Sequence, residues 1–139
     1  MKIVINACFG GFGLSDAAVK RYADLKGIPL WAERSPKYPS FTHYYIVPPE
    51  SRTPKASNWR ALSLTDRIAY NAARAAETID PPEIPRDDAT LVQVVEELGD
   101  RSHGALARLK VVEIPDGVDW VIEDYDGDET IAEKHRTWD

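Results

Sequence analysis

The sequence predicts a single α+β domain over residues 1–139, in which a C-terminal antiparallel β-hairpin sheet with an N-terminal strand packs against three helices. Three observations lead to this prediction. The 139 residues are about one domain's worth, an Asp126–Gly127 pair separates two alternating apolar segments near the C-terminus, and three earlier stretches carry apolar residues at helical spacing. Apolar residues make up 43% and charged residues 29% of the chain, which excludes a disordered polyelectrolyte and a membrane-spanning protein.

The N-terminal segment is predicted to be a strand, a glycine loop and a helix. Lys2–Ala7 alternates and is rich in Ile and Val, which is typical of a strand. Three glycines then end the strand, and Ser15 stands where a helix N-cap belongs. The helix is expected over residues 16–26, with Gly27 ending it. Two short strands, over residues 28–32 and 41–47, follow.

Two further helices, over residues 63–78 and 88–98, are expected on one face of the sheet. Ser63 with Asp66 resembles a capping box with Asp in place of Glu. Asp87 or Asp88 caps the second helix, and Gly99 ends it. The apolar residues along one face of each helix are Leu64, Ile68, Ala72, Ala75 and Ile79 in the first, and Leu91, Val94, Val95 and Leu98 in the second.

The C-terminal third is predicted to be sheet, with strands over residues 109–114, 119–125 and 128–136. An Asp-Gly pair between strands indicates a two-residue hairpin turn in which both residues have positive φ. That turn sets the register, placing Ile122 opposite Ile131 and Trp120 opposite Glu133. It also places Asp124 opposite Glu129, which is unfavourable unless solvent or a cation lies there.

The net charge of −6 conceals an asymmetry along the chain. Residues 1–70 carry a net charge of +5, whereas residues 71–139 carry −11. Such asymmetry indicates either an acidic surface that competes for a basic, nucleic-acid-binding partner or two halves that attract each other in the fold.

The glycine loop is the candidate ligand site. Glycines between a strand and a helix start let backbone N–H groups approach an anion, although the loop matches neither the dinucleotide fingerprint nor a P-loop. The alternative interpretation is a structural turn. Asn6 is expected to help from the strand end, and Arg136 to supply a counter-charge if the first and last strands are neighbours. The candidate ligand-binding residues are Asn6, Phe9, Gly10, Gly11, Phe12, Gly13, Ser15 and Arg136.

Other chemistry-bearing patterns are weaker. Asp124, Asp126 and Asp128 lack the glycine position and bidentate Glu of a calcium loop and are interpreted as a solvated hairpin tip. Cys8 and His135 would form a catalytic pair only if the first and last strands were neighbours. No catalytic residue, metal ligand or cofactor is therefore predicted.

The basic stretch around Trp59 is expected to be a solvated loop. Arg52, Lys55 and Arg60 are too few to supply the phosphate contacts of specific duplex DNA binding. A lone cysteine excludes an internal disulfide and fits a reducing compartment.

Six motifs resemble those of an uncharacterised small-protein family of tailed bacteriophages and prophages: VINACFGGFGLS, IPRDD, LVQVVEELGD, LKVVEIPDGVDW, IEDYDG and EKHRTW. The resemblance covers roughly residues 1–30 and 84–138, and residues 31–62 are expected to be a variable insertion or loop region. It implies a phage accessory protein made in the cytoplasm of an infected bacterium, but no activity or cofactor.

By analogy with small phage accessory proteins, the chain is expected to be a non-enzymatic binder of a host protein or a nucleotide-like small ligand that counteracts antiphage defence. No membrane association is expected, and a homo-oligomer is compatible with the sequence. The alternative is a small enzyme, a hydrolase or nucleotide transferase, that uses Cys8 or His135.

Overall fold

A computed structural model describes residues 1–135 and Trp138 of the chain. The described residues form two compact units, one of Met1–Lys26 with Pro81–Asp139 and one of Gly27–Asp80. The prediction of a single domain with residues 31–62 as an insertion stays a prediction. The helices and strands are β1 (Lys2–Asn6), α1 (Asp16–Lys26), β2 (Trp31–Arg34), β3 (Thr42–Tyr45), α2 (Leu64–Ala75), α3 (Ala89–Leu98), β4 (Leu109–Glu113), β5 (Trp120–Tyr125) and β6 (Asp128–Glu133).

The first unit contains two separate antiparallel strand pairs, β1 with β4 and β5 with β6. Helices α1 and α3 pack against each other, and α3 also packs on β1 and β4. The core between these elements consists of side chains that are completely or almost completely buried: Ile3, Val4, Ala18, Val19, Leu91 and Val94. The α+β class and the C-terminal hairpin are thereby confirmed.

The sheet of the first unit differs from the expected one, because β1 and β4 do not join the hairpin. The second edge of β1 is occupied by other groups. The Val4 N–H donates to the carbonyl of Arg86 at 2.9 Å, and the Asn6 N–H donates to a carboxylate oxygen of Glu129 at 2.7 Å. A side chain and a loop therefore take the positions where a third strand would have paired.

Local signals at the helix ends and the hairpin agree with the sequence. Ser63 caps α2 by accepting from the Asp66 N–H, and Asp88 caps α3 by accepting from the N–H groups of Thr90 and Leu91. Ile122 pairs with Ile131 in the register that the Asp-Gly turn predicts, as do the other residues along the hairpin. Both turn residues have positive φ, 51° at Asp126 and 89° at Gly127.

In the second unit, β2 pairs antiparallel with β3, and the chain after α2 returns to β3, where the Ile46 N–H donates to the carbonyl of Glu77 at 2.8 Å. Helix α2 belongs to this unit and contains no buried residue. Its apolar face, expected on the sheet, leaves Leu64 and Ile68 exposed. The half-buried positions lie on its polar face, where Tyr70 and Arg74 form hydrogen bonds within the unit.

None of the described helices is long and apolar enough to span a membrane.

Candidate functional site

The glycine loop connects β1 to α1 and has a backbone that only glycine adopts easily. Gly10 and Gly11 have φ of 121° and 90°, a region in which a Cβ atom is strained. Gly13 has no such φ, but its carbonyl accepts from the Gly104 N–H at 2.9 Å. A Cβ atom on Gly104 would lie 2.8 Å from the carbonyl carbon of Gly13. Two segments of main chain therefore touch at this point.

The hairpin turn approaches the same loop from another direction. The Gly10 N–H donates to the carbonyl of Asp126 at 3.2 Å, and a Cβ atom on Gly127 would lie 2.7 Å from the Cα of Gly11. The close backbone approach that the glycines permit is thus made by the chain itself. Close packing on the hairpin turn is therefore one reason for the glycines of the loop. The interpretation of the loop as a ligand site stays a prediction.

Asn6 holds three segments together at the end of β1. Its side chain is fully buried; its Nδ2 donates to the carbonyls of Cys8 at 2.8 Å and Gly127 at 2.6 Å. Its Oδ1 accepts from the Arg108 N–H at 2.8 Å. All the hydrogen-bonding groups of this amide serve the fold, so Asn6 orients the loop rather than presenting a free polar group.

A buried ion pair lies beside Asn6. The guanidinium of Arg86 forms a two-point contact with Glu129, Nη1 to Oε1 at 2.7 Å and Nη2 to Oε2 at 3.1 Å. Only 6% of Glu129 is exposed, and the ring centroid of Phe12 lies 3.7 Å from the Arg86 guanidinium carbon. This arrangement combines bidentate pairing with stacking.

The Arg86 pair resolves the conflict that the hairpin register raises. Asp124 does lie opposite Glu129, but Arg86 is the cation that compensates Glu129, and Asp124 is exposed and accepts from the Gly127 N–H at 2.7 Å. Sequence reasoning missed the role of Arg86. The signal that could have found it was the unfavourable pair of carboxylates, which required a positive partner.

Ser15 has the predicted N-cap position. Its hydroxyl accepts from the Ala18 N–H at 3.1 Å and donates to the carbonyl of Arg101 at 2.6 Å. Its own N–H donates to the carbonyl of Ser102 at 3.0 Å. The groups that were expected to face an anion at the start of α1 therefore bind the turn after α3.

Three large apolar side chains remain exposed around the glycine loop and hairpin turn. They are Phe9, Leu106 and Tyr125, with 64%, 71% and 76% of their surfaces exposed, and are called the turn patch below. The rings of Phe9 and Tyr125 meet edge to face with centroids 6.3 Å apart. The Cys8 thiol donates to the carbonyl of Leu106 at 3.3 Å, which places Leu106 next to the loop.

Of the remaining candidate residues, Cys8 and His135 are not brought together. Arg136 lies outside the described residues. Cys8 lies beside the hairpin turn, whereas β6 carries the chain about 13 Å from Glu129 to Glu133 before His135 follows. Among the described residues, no group of three or more His, Cys, Asp and Glu side chains could hold a metal ion.

Comparisons of the chain with protein-family models, curated proteins and solved structures find no match.

Proposed function

We propose that this protein is a non-enzymatic binding protein that engages a protein partner through the turn patch. The observation that carries the proposal is the exposure of Phe9, Leu106 and Tyr125 together on one unit. Aromatic side chains dominate the binding energy of protein interfaces when a partner covers them. Exposed apolar residues that lie together are typical of interaction sites.

The backbone beneath the turn patch supports this proposal because it is held from several sides. Phe9 precedes two glycines that pack on Gly127, and Tyr125 precedes the turn whose carbonyl at Asp126 accepts from Gly10. A surface that is ordered before binding loses less conformational entropy when the partner arrives. The patch is therefore suited to a preformed contact rather than to folding upon binding.

Charge around the turn patch indicates the chemistry of the partner. The first unit carries ten Lys and Arg against eighteen Asp and Glu, a net charge of −8. Glu123 and Asp126 on the hairpin are exposed and form no ion pair with any residue that the structure describes. On the loop side the exposed Arg108 donates to the carbonyl of Ala7 at 2.8 Å. A complementary partner would therefore present an apolar pocket whose basic groups face the hairpin.

The resemblance to phage accessory proteins supplies the proposed setting. In that setting the partner is a host protein in the cytoplasm of an infected bacterium, and binding it counteracts antiphage defence. The second candidate is a nucleotide-like ligand at the loop Phe9–Ser15, where two positive-φ glycines precede α1. We retain the enzyme with Cys8 or His135 as the alternative that a turnover assay would distinguish.

The proposal is tested by retention of partners from a nuclease-treated lysate of the bacterial host. The double variant Phe9→Ser/Tyr125→Ser should lose at least about thirty-fold in affinity for the retained protein, because hot-spot residues each contribute this much. The matched control is Tyr38→Ser/Phe41→Ser, which removes a Tyr and a Phe of similar exposure from the second unit. The control should retain the partner as the parent chain does.

Equal retention by both double variants would exclude the turn patch as the interface. Native mass spectrometry of the parent chain purified from the host, together with a turnover assay, tests the two alternative functions. A bound small mass without a protein partner would favour the nucleotide-like ligand. A turnover that Cys8→Ser or His135→Ala abolishes in folded protein would favour the enzyme.

A further inference from the structure

The hairpin of the second unit has an aromatic outer face. Tyr44 of β3 is buried, and successive side chains of a strand point to opposite faces. Phe41, His43 and Tyr45 therefore lie on the face away from the interior of this unit. Trp31 lies directly opposite Tyr45 in β2 and shares that face.

The rings on this face form a continuous row. The ring centroids of Phe41 and His43 are 5.0 Å apart, and those of His43 and Tyr45 are 5.8 Å apart in a stacked arrangement. The Arg52 guanidinium lies 3.6 Å from the centroid of the Tyr45 ring and closes that end of the row. The Phe41 end is open, since 56% of Phe41 and 60% of neighbouring Tyr38 are exposed.

The loop that carries Tyr38 is ordered by its own hydrogen bonds. The Ser35 N–H donates to the carbonyl of Phe41 at 2.8 Å, and the Phe41 N–H donates to the carbonyl of Tyr38 at 2.8 Å. The Ser35 hydroxyl accepts from the Tyr38 N–H at 3.2 Å. The backbone that carries the two exposed rings is therefore held by hydrogen bonds within the loop. Tyr38, Phe41 and His43 are called the hairpin platform below.

The stretch of sequence that contains the hairpin platform is basic. Residues 34–65 contain five Lys and Arg and a single acid, Glu50, a net charge of +4. Glu33 of β2 is an acid, and it is paired with Arg52, Oε2 to Nη2 at 2.6 Å. The ammonium of Lys37 lies 5.5 Å from the ring centroid of Tyr38. A polyanion with flat apolar groups is complementary to this surface.

We propose that the hairpin platform binds single-stranded nucleic acid. Bases stack on Tyr38 and Phe41, and Lys37 and Arg34 contact phosphates. Stacking requires the faces of unpaired bases, which a duplex does not offer. Five cations in this region are also too few for the many phosphate contacts on which duplex affinity rests. This site lies in a different unit from the turn patch and is independent of the proposed protein partner.

Fluorescence anisotropy with labelled oligonucleotides tests the site on the full chain. Oligothymidine and oligouridine of about 12 nucleotides should bind, and a duplex of the same length should bind at least ten-fold more weakly. Comparing the affinities of the two oligonucleotides shows whether the site prefers DNA or RNA. Tyr38→Ala and Phe41→Ala should each weaken binding by about five-fold or more, since stacking on each ring holds one base.

The salt dependence separates phosphate contacts from stacking. Lys37→Ala should reduce the slope of log affinity against log salt by about 0.7, the value for one phosphate of a single strand, whereas Phe41→Ala should leave the slope unchanged. Leu64→Ala, which removes an exposed apolar side chain of α2 that belongs to neither proposed site, is the control and should bind oligonucleotides as the parent chain does.

Three outcomes would overturn the proposal. The first is the absence of single-strand binding at micromolar protein. The second is equal binding by Tyr38→Ala/Phe41→Ala and the parent chain, with thermal unfolding showing both folded. The third is a protein partner lost on changing the platform while oligonucleotides fail to bind, which would make the platform a protein interface.

Discussion

At the scale of single residues, the ion pair of Arg86 with Glu129 joins β6 to the segment that precedes α3. The two side chains are only 14% and 6% exposed, and Glu129 also accepts from the backbone of β1. Removing one partner of such a pair leaves a buried charge without compensation. Removing one partner of the pair is therefore expected to destabilise the fold by more than the intact pair stabilises it.

Glu129→Gln should lower the free energy of unfolding by about 3 kcal/mol, because the charge of Arg86 then remains buried and unpaired. The matched control is Glu97→Gln, which breaks the exposed pair with Arg21 and should cost less than about 1 kcal/mol. Urea denaturation measures both. In Glu129→Gln/Arg86→Met the two effects should be less than additive, and full additivity would refute the coupling.

Asp88 is predicted to make the first unit sensitive to acid. Burial alone would raise the pKa of Asp88, but hydrogen bonds from Lys26, the Leu91 N–H and Tyr22 outweigh burial, so its pKa is below the ordinary value. A carboxyl with a lowered folded-state pKa stabilises the fold above its unfolded pKa near 4. That contribution is lost as the pH falls through the lower folded pKa.

Asp88→Asn should therefore be less stable than the parent chain at pH 7, and the difference should shrink below about pH 4. Asparagine is also a good N-cap, so α3 should remain helical. Free energies of unfolding measured by denaturant from pH 7 to pH 3 check this expectation, with the exposed neighbour variant Asp87→Asn as control. A difference between parent and Asp88→Asn that is constant with pH would contradict it.

At the scale of elements, the hairpin turn does two things. It sets the register of β5 with β6, and it packs its backbone against the glycine loop. Position 127 requires glycine for two reasons. Its φ is 89°, and a Cβ atom there would clash with Gly10 and Gly11. Gly117, in the turn before β5, has a φ of 81° but open space around it.

These two glycines separate backbone strain from close packing. Gly117→Ala should cost about 1–2 kcal/mol, the strain of a left-handed residue. Gly127→Ala should cost about 1–3 kcal/mol more, because the added methyl must also displace the loop. Equal shifts in the urea midpoint for the two variants would show that the turn does not press on the loop.

At the scale of the whole molecule, the two units differ in charge and surface chemistry. The first unit carries −8 and the turn patch, whereas the second carries seven Lys and Arg against five Asp and Glu, a net charge of +2, and the hairpin platform. The charge contrast between the units, −8 against +2, is smaller than the contrast between the two halves of the sequence, −11 against +5.

Replacing residues 27–80 with a short Gly/Ser linker should leave the first unit folded. Its core side chains come from residues 1–26 and 81–139, so the deletion removes none of them. The shortened chain should unfold cooperatively and retain the partner of the turn patch, but it should not bind oligonucleotides. Circular dichroism with thermal denaturation measures the first expectation, and a chain without a cooperative transition would contradict it.

Signals that act within a few residues were predictable from the sequence. Ser63 and Asp88 cap their helices through N–H groups two or three residues away, and the Asp126–Gly127 turn sets the hairpin register by its own backbone angles. The glycine loop was recognisable for the same reason. Its positive φ angles are local, and its glycine content signals a close approach of some group.

The sequence by itself therefore determined the α+β class, the caps and the hairpin. Only the tertiary structure decided what approaches the glycine loop, which cation compensates Glu129 and which face of α2 is exposed. Arg86 and Glu129 are 43 residues apart, and Asn6 and Glu129 are 123 apart. Such contacts depend on how distant segments meet, because neither partner changes the local conformational preferences of the other until the chain has folded.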